Sequence, residues 1–310
     1  MDDRMDFDVI VIGGGAAGLS AATTLARARR AVVVLDAGEP RNAPAAGVHG
    51  FLGHDGVPPL ELLARGRAEL AGYGGEFRST RVTGTERLAG GFAVVLADSG
   101  RVTALRLVVT TGLVDVLPDV PGLRERWGRD VLHCPYCHGW EVQDLEIAVL
   151  ATGPMALHQA LLFTQWSSDI VLLLNDQPDP DPDWLRRFEA RGGRTVRPRV
   201  DAVETRDDAL SGVRLVDGSV VPCQAMVVGA PVRARSEFLA GLGLTTADFL
   251  MGEHVVGTHV AADALGQTAV PGVYVAGNVT DPTSQVVAAA AAGMKVGAWI
   301  NAELIQAEAG

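Results

Sequence analysis

A single glycine-rich turn constrains the fold of this chain more than any other feature of its sequence. The letters GGGAAG occupy residues 13–18, directly after an apolar run at residues 7–12. A helical stretch is expected at residues 19–30, and a second apolar run covers residues 31–35. Strand, tight turn, helix and strand in this order predict a βαβ unit of a parallel sheet.

The turn has the spacing GxGxxG, and an acid, Asp36, stands at the end of the second strand. Small residues let backbone N–H groups approach a pyrophosphate at the positive end of a helix. The carboxylate can accept hydrogen bonds from a ribose. Because the turn stands in its full structural context, we predict that it binds a dinucleotide. The predicted contacts are Gly13, Gly14, Gly15, Ala16, Gly18 and Asp36.

A second unit of the same kind follows later in the chain. It comprises an apolar run at residues 147–150, a turn at 152–154, a helix through about residue 166 and a strand at 170–174. We therefore expect an α/β fold with two Rossmann-like, three-layer domains. The acidic, proline-rich residues 175–183 predict an exposed loop, because prolines do not fit a ladder or a helix interior.

Composition and charge exclude several classes of protein. The net charge of -11 and the lack of a Lys/Arg cluster argue against nucleic acid as a partner. No apolar run reaches the roughly 18 residues of a membrane span. The acidic amino terminus lacks a secretory signal, so we expect a cytoplasmic protein. Three cysteines cannot form a disulfide framework, and Cys223 is expected to fill a buried apolar position.

The other two cysteines form a CxxC motif, Cys134-Pro135-Tyr136-Cys137, whose spacing permits a reducible disulfide. A zinc site is the competing interpretation, but it needs four ligands and there is no second CxxC, so we predict no metal. His138 follows directly and can take a proton from an entering thiol near neutral pH, with a purely structural role as the alternative.

Four further segments resemble those of the flavin-dependent disulfide reductases, and the position of the CxxC resembles that of the thioredoxin reductases. The segments are VVTTG at 108–112, GVYVAGN at 272–278, QV at 285–286, and DAGEPRN at 36–42 with His49 shortly after. The resemblance implies FAD as the cofactor. It implies contacts from Glu39, Arg41, Asn42, His49, Thr111, Gly112, Gly277, Asn278, Gln285 and Val286.

Within that resemblance, Asn278 replaces the usual aspartate, although an asparagine can still hydrogen-bond a ribityl hydroxyl. The alanine-rich helix expected from about residue 284 to 305 would direct its amino end at the flavin. The tail therefore completes the first domain. The expected bounds are 1–115 and 244–310 for a discontinuous FAD domain and 116–243 for an inserted, NAD(P)H-like domain, with crossings at 111–121 and 229–236.

The resemblance also implies a role for each redox residue. Cys137 would face the flavin, and Cys134 would exchange with the substrate sulfur. His138 stands where the family has an aspartate as acid/base, and His133 and Glu141 are further candidates. The resemblance implies a homodimer as well.

The second glycine turn departs from the family pattern, because ATGPMA at 151–156 replaces GxGxxA. Pro154 removes a backbone donor and Met155 crowds the turn. Asp176 and Asp179 follow where the family has a basic cluster for the 2'-phosphate of NADPH. We therefore expect weak nicotinamide binding.

An enzyme of this kind can run in the oxidising direction, with FAD reduced by a dithiol and reoxidised by molecular oxygen with release of hydrogen peroxide. The similarity to the gliotoxin and holomycin dithiol oxidases favours a small-molecule dithiol of an epidithio or dithiolopyrrolone natural product. Two alternatives stay open: an NAD(P)H-dependent reductase of thioredoxin, and a flavoprotein sensor without enzymatic activity.

Overall fold

A computed structural model describes residues 5–153 and 155–310. The chain forms two compact units. The first comprises the chain through Ala43, Val57–Val114 and Val232–Gly310, and the second comprises Pro44–Gly56 and Asp115–Pro231. The short segment Pro44–Gly56 thus groups with the second unit, although it interrupts the first unit in sequence.

The secondary structure is mixed α/β. In chain order, the strands are β1 (Phe7–Ile12), β2 (Val32–Asp36), β3 (Glu76–Ser79), β4 (Val82–Leu88), β5 (Gly91–Leu96), β6 (Arg101–Val109), β7 (Leu113–Asp115), β8 (Val131–Leu132), β9 (Ile147–Leu150), β10 (Ile170–Leu173), β11 (Gly193–Val196), β12 (Val200–Arg206), β13 (Ala209–Leu215), β14 (Val220–Pro222), β15 (Ala225–Val228), β16 (Val232–Ala234), β17 (Ala247–Met251), β18 (His254–His259) and β19 (Val273–Val275). The α-helices are α1 (Ala16–Arg27), α2 (Pro59–Gly72), α3 (Leu123–Arg126), α4 (Pro135–His138), α5 (Met155–Phe163), α6 (Pro182–Glu189) and α7 (Val286–Ala309), with 3-10 helices at Glu237–Leu242 and Gly277–Val279.

The first unit is built on a sheet with the strand order β3-β2-β1-β6-β5-β4, and β19 also pairs with β6. Strands β3, β2, β1, β6 and β19 are parallel, whereas β4 and β5 continue the sheet as antiparallel strands. Val9 and Val11 pack on the helix-covered face with α1 and α7, and Ile10 and Ile12 pack on the opposite face. Burial on both faces explains why β1 is an uninterrupted apolar run.

The helices α1 and α7 approach each other closely because α7 carries glycine at the contact. A Cβ at Gly293 would lie 1.9 Å from the Ala17 carbonyl oxygen, and one at Gly297 would lie 2.7 Å from the Ala21 carbonyl oxygen. The tail of the chain thereby packs against the first βαβ unit. Only residues without side chains fit at these two positions.

The second unit contains a parallel sheet in the order β11-β10-β9-β15-β8 and an antiparallel sheet β12-β13-β14. The predicted strand at 147–150 has the observed bounds. The prediction that residues 175–183 form a loop was wrong at its end, because α6 begins at Pro182. Proline is tolerated there since the first helical N–H needs no partner, and the Asp181 side chain caps the helix.

Helix bounds also differ from the sequence predictions. The helix α1 begins at Ala16 rather than residue 19, and it ends before Arg29, which takes a left-handed φ of 65°. The helix α7 extends to Ala309, beyond the predicted residue 305. Among the described helices, none combines the length and the apolar character needed to cross a membrane.

The glycine at the α1–α7 contact can be tested by substitution. Gly293→Ala should lower the free energy of unfolding by about 1–3 kcal/mol, because the added methyl overlaps the backbone of α1. The matched control is Gly72→Ala at the end of α2, where a Cβ would meet no atom of the described residues within 4 Å. Urea unfolding should separate the two variants, and equal stabilities would show that the contact tolerates a methyl group.

Candidate functional site

The glycine turn after β1 is held against the strand β6. Gly13 has a φ of 105°, and a Cβ there would lie 2.6 Å from the Thr110 carbonyl oxygen. A Cβ at Gly18 would lie 1.9 Å from the Gly13 carbonyl oxygen. The Thr110 hydroxyl donates to that same oxygen at 2.7 Å. Thr110 was not among the predicted site residues, although it stands beside the predicted Thr111, and it fixes the shape of the turn.

Gly15 occupies a different environment, because it caps the amino end of α1. A Cβ on Gly15 would meet no described neighbour within 4 Å. Ala16 opens the helix, no side-chain hydrogen bond to the cap is present among the described residues, and the first turn carries no acid. The amide donors of this turn therefore remain available to an anionic ligand.

Asp36 is positioned by backbone amides at the end of β2. Its Oδ1 accepts from the Gly14 N–H at 2.8 Å, and its Oδ2 accepts from the Gly38 N–H at 3.1 Å. Each carboxylate oxygen has a further lone pair, so a ribose hydroxyl can still donate to it. The glycine turn and the acid thus form one connected element.

The other residues predicted on this side of the site lie in the same unit. The Glu39 carboxylate pairs with Arg81, and its carbonyl accepts from the Arg235 guanidinium. The Thr111 hydroxyl donates to the Arg235 carbonyl at 2.6 Å, and the Gly112 carbonyl accepts from the Arg235 N–H. Arg41 and Asn42 follow Glu39 in the half-buried turn beyond β2. Glu39 and Thr111 are therefore fixed through Arg235, a contact that the sequence did not reveal.

The tail brings Gly277 to the start of α1. Gly277 has a φ of 73°, and its Cβ would lie 2.9 Å from the Ala17 Cβ. The Asn278 side-chain amide donates to the carbonyls of Asp281, Pro282 and Ser284 at 3.1, 3.3 and 2.8 Å. A carboxylate could not make these bonds, because it only accepts. Asparagine therefore organises the turn before α7 and keeps its own oxygen as an acceptor.

Gln285 is the amino-terminal cap residue of α7, and Val286 is its first residue. The first turn carries no acid, and no side-chain bond to the cap is present in the described chain. The positive end of this helix is thus open to an electron-rich group. An extended, anionic dinucleotide fits this set of features: the amino ends of α1 and α7, the glycine turn at residues 13–18 (the glycine cradle) and Asp36.

The redox pair lies in the second unit, on the single turn of α4. Cys134 caps the helix and Pro135 occupies its first position, where proline is preferred. The Cys137 and His138 N–H groups donate to the Cys134 carbonyl at 3.3 and 3.2 Å. Both cysteines are half-buried. The backbone thereby places the two thiols on one turn, as the spacing predicted.

Gly139 ends this turn and was missed in the sequence. A Cβ there would lie 2.5 Å from the Pro135 carbonyl oxygen and 2.8 Å from the ring of Trp166. A glycine at 139, directly after His138, was the sequence signal that could have indicated this close approach to Trp166. Cys223 differs from the redox pair, because burial raises the pKa of its thiol to about 12. This thiol is inert, as expected of a residue that fills the core.

His138 is surrounded by other ionisable groups. Burial lowers the pKa of its imidazole below the usual value, and the charges of His49 and His133 act in the same direction. Glu141 opposes them and raises the pKa. The Nδ1 of His133 lies 3.1 Å from the Val228 carbonyl oxygen, so this nitrogen carries a proton and donates to that oxygen. The neutral form of His138 is favoured at neutral pH and can act as a base.

His49, predicted as a flavin contact, belongs to the second unit, which also holds the redox pair. Its Nε2 lies 3.2 Å from Glu141 Oε1, and its Nδ1 lies 3.4 Å from Asp55 Oδ1. Asp55 was not predicted. Within the described chain, no group of three or more His, Cys, Asp or Glu side chains is arranged to hold a metal ion.

The second glycine turn has few of the features of the first. The Thr152 hydroxyl donates to the Gly229 carbonyl at 2.9 Å, and Pro154 lies outside the described residues. Met155, which was expected to crowd the turn, is half-buried at the start of α5. Beyond β10, Arg197 pairs with Asp179 at 3.0 Å.

Comparison with known proteins agrees with this architecture. The chain matches the pyridine nucleotide-disulphide oxidoreductase family over residues 7–293. It belongs to this family. It is 30% identical over 320 residues to the thioredoxin reductase sirT of Leptosphaeria maculans, covering 97% of this chain and 95% of the relative. It is 33% identical over 254 residues to the thioredoxin reductase tcpT of Claviceps purpurea (strain 20.1), covering 76% and 77%.

Two solved structures extend the comparison. The crystal structure of HlmI is 42% identical, with a TM-score of 0.90 over 97% of this chain and 93% of HlmI. An oxidoreductase from Agrobacterium tumefaciens is 35% identical, with a TM-score of 0.90 over 97% and 99%. The predicted two-domain, Rossmann-type α/β fold is confirmed, and the chain is a thioredoxin-reductase-like oxidoreductase.

The open space at Gly15 leads to a prediction about cofactor binding. Gly15→Ala should leave stability within about 0.5 kcal/mol, because the methyl group meets no described neighbour. It should weaken FAD binding about tenfold, since the methyl group fills the approach of a pyrophosphate. Flavin fluorescence titration and thermal unfolding measure the two effects. Gly18→Ala is the comparison, because it should destabilise the turn itself. An unchanged FAD affinity in Gly15→Ala would contradict the prediction that this turn holds the pyrophosphate.

Proposed function

We propose that this protein is an FAD-dependent dithiol oxidase that closes a small-molecule dithiol to an intramolecular disulfide. Molecular oxygen is the electron acceptor and hydrogen peroxide the by-product. The contrast between the two nucleotide turns carries the proposal. The first turn offers open amide donors and a placed acid, whereas the second has lost a glycine and is followed by carboxylates.

The chain's own residues account for the binding of the cofactor. The glycine cradle and the amino end of α1 hold the pyrophosphate, Asp36 binds the ribose, and Asn278 binds the ribityl chain. The open amino end of α7 favours added negative charge. Bound there, FAD would supply the two-electron chemistry that links the cysteine pair to oxygen.

The thiol chemistry follows from the arrangement on α4. Neutral His138 takes the proton of the first substrate thiol, and the thiolate attacks the Cys134–Cys137 disulfide at Cys134. A mixed disulfide forms and Cys137 leaves as a thiolate. The second substrate thiol, once deprotonated, attacks the substrate sulfur of the mixed disulfide and releases Cys134. The substrate loses two electrons and two protons, and the cysteine pair gains the two electrons.

The surroundings of the second turn support the absence of a nicotinamide donor. The 2'-phosphate of NADPH needs unpaired cations, but Arg197 pairs with Asp179 and Arg186 pairs with Asp183. Asn175 and Asp176 both take a positive φ directly after β10, and the Asn175 side chain accepts from the Val200 N–H. A phosphate there would meet carboxylates and arginines that already have partners.

The second candidate is an NAD(P)H-dependent reductase of thioredoxin or a similar protein. It is favoured by the names of the relatives sirT and tcpT and by the parallel sheet that the second unit retains. A flavoprotein without activity is less compatible with a redox pair beside a neutral imidazole. The homodimer and the cytoplasmic location stay predictions from the sequence.

The direction of electron flow separates the two candidates. Without air, dithiothreitol should bleach the bound flavin quickly, and oxygen should restore the colour with one peroxide per dithiol. NADPH should reduce the flavin slowly or not at all, because the second turn lacks a phosphate clamp. Stopped-flow absorbance and a peroxide assay provide the measurements. Rapid, stoichiometric reduction by NADPH would replace the oxidase proposal with the reductase.

The two cysteines should give different spectra. Cys134→Ser leaves the Cys137 thiolate to interact with the flavin and should produce a long-wavelength charge-transfer band. Cys137→Ser should produce none. Visible absorbance of the two oxidised variants checks this, and Cys223→Ser, which removes a buried thiol, is the control. Bands in the opposite variants would reverse the assigned roles.

A further inference from the structure

We propose that Glu141, held in place by His49, is a positioning residue that stabilises the protonated form of His138 while a substrate thiol loses its proton. The inference rests on the proposed function, because that function makes His138 the proton acceptor. It gives His49 a role in the thiol chemistry.

The first argument is the geometry of His49, whose two ring nitrogens each face a carboxylate. Nε2 lies 3.2 Å from Glu141 Oε1, and Nδ1 lies 3.4 Å from Asp55 Oδ1. The same Asp55 oxygen accepts from the Gly50 N–H at 3.1 Å, which fixes Asp55 within its own loop. When both nitrogens carry protons, the imidazole donates to both acids and links them.

The second argument is that the loop carrying His49 is anchored within the second unit. Val48, directly before it, is 3% exposed, and its carbonyl accepts from the Gly56 N–H at 2.8 Å. At the start of the segment, Pro44 packs so closely on Gly128 that a Cβ there would lie 2.8 Å from the proline ring. His49 is therefore presented from a fixed backbone to Glu141, whose side chain is 40% exposed and would otherwise turn toward solvent.

The third argument is the position of Glu141, three residues beyond His138 in the turn that follows α4. His138 is half-buried, so a proton placed on its imidazole creates a positive charge that water solvates only in part. Of the groups acting on it, His49 and His133 oppose that charge, and Glu141 is the acid that favours it. The thiols of the redox pair adjoin it, and α5, which packs against α4, carries one titratable residue, the exposed His158.

The chemistry is a single proton transfer. The S–H bond of the substrate breaks, an N–H bond forms on the His138 imidazole, and the positive charge appears beside Glu141. The thiolate keeps the electron pair, so this step needs no oxidant. Holding Glu141 in advance stabilises the imidazolium without reorganisation at the moment of transfer.

The test compares the wild type with Glu141→Gln, His49→Leu, and His49→Gln, which keeps an N–H donor toward Glu141. Glu189→Gln on α6 is the control for loss of one charge in the same unit. The first readout is the pKa of His138, titrated by NMR in histidine-labelled protein. Glu141→Gln should lower it by about one unit, because a neighbouring opposite charge is lost. His49→Leu should give a lower pKa than His49→Gln, because both lose the His49 charge, which opposes protonation of His138, and only His49→Gln keeps a donor toward Glu141. Glu189→Gln should leave the pKa unchanged.

The second readout is anaerobic flavin reduction by dithiothreitol between pH 5.5 and 8.5. The rate rises with pH as His138 becomes neutral, so a lower pKa moves this rise to lower pH. The weaker base should also reduce the plateau about tenfold in Glu141→Gln. In the Glu141→Gln background, His49→Leu and His49→Gln should behave alike, since the positioning effect passes through Glu141.

The possible failures are distinguishable. A wild-type flavin that dithiothreitol does not reduce would overturn the proposed function, while the NMR titration would still report on the link between Glu141 and His138. An unchanged pKa of His138 in Glu141→Gln would overturn the inference even in an active oxidase. Equal pKa values of His138 in His49→Leu and His49→Gln would show that His49 acts only as a nearby positive charge and would exclude the positioning role.

Discussion

The close approach of α1 and α7 is the constraint on which the nucleotide-binding unit depends. The two helices come from opposite ends of the chain, and the second unit is inserted between them. Glycine at 293 and 277 lets the tail reach Ala17, at the first turn of α1. Because Gly277 and Gly293 both meet Ala17, two positive helix ends and one glycine turn would act on a single dinucleotide in the proposed function. A side chain at either position would separate the elements that make the site.

The local part of this arrangement could be predicted from the sequence, because it depends on residues that are neighbours in the chain. An apolar run bounded by glycine gave the limits of β1, and a similar run gave those of β9. The start of α1 was placed three residues late, since small residues in the turn resemble a loop. Its end was misplaced because Arg29 takes a left-handed conformation that nothing in the sequence indicates.

The rest depends on contacts between distant residues. The resemblance that implies a flavin contact for His49 did not reveal that its loop belongs to the second unit, where Glu141 and Asp55 face its ring. Thr110, Arg235 and Gly139 were missed for the same reason. Their importance comes from a single close approach or hydrogen bond, and neither leaves a periodic pattern in the sequence.

Burial of His138 connects catalysis with stability. A neutral imidazole in a desolvated place is a ready base, but the same desolvation opposes the proton that the base must accept. Because the folded pKa lies below the unfolded one, the unfolded chain binds more protons, and stability falls as the pH drops through the unfolded value of about 6.5. A carboxylate nearby reduces this cost, since it raises the folded pKa toward the unfolded one. Glu141 therefore serves the fold at acidic pH through the same interaction that, in the proposed mechanism, stabilises the protonated base.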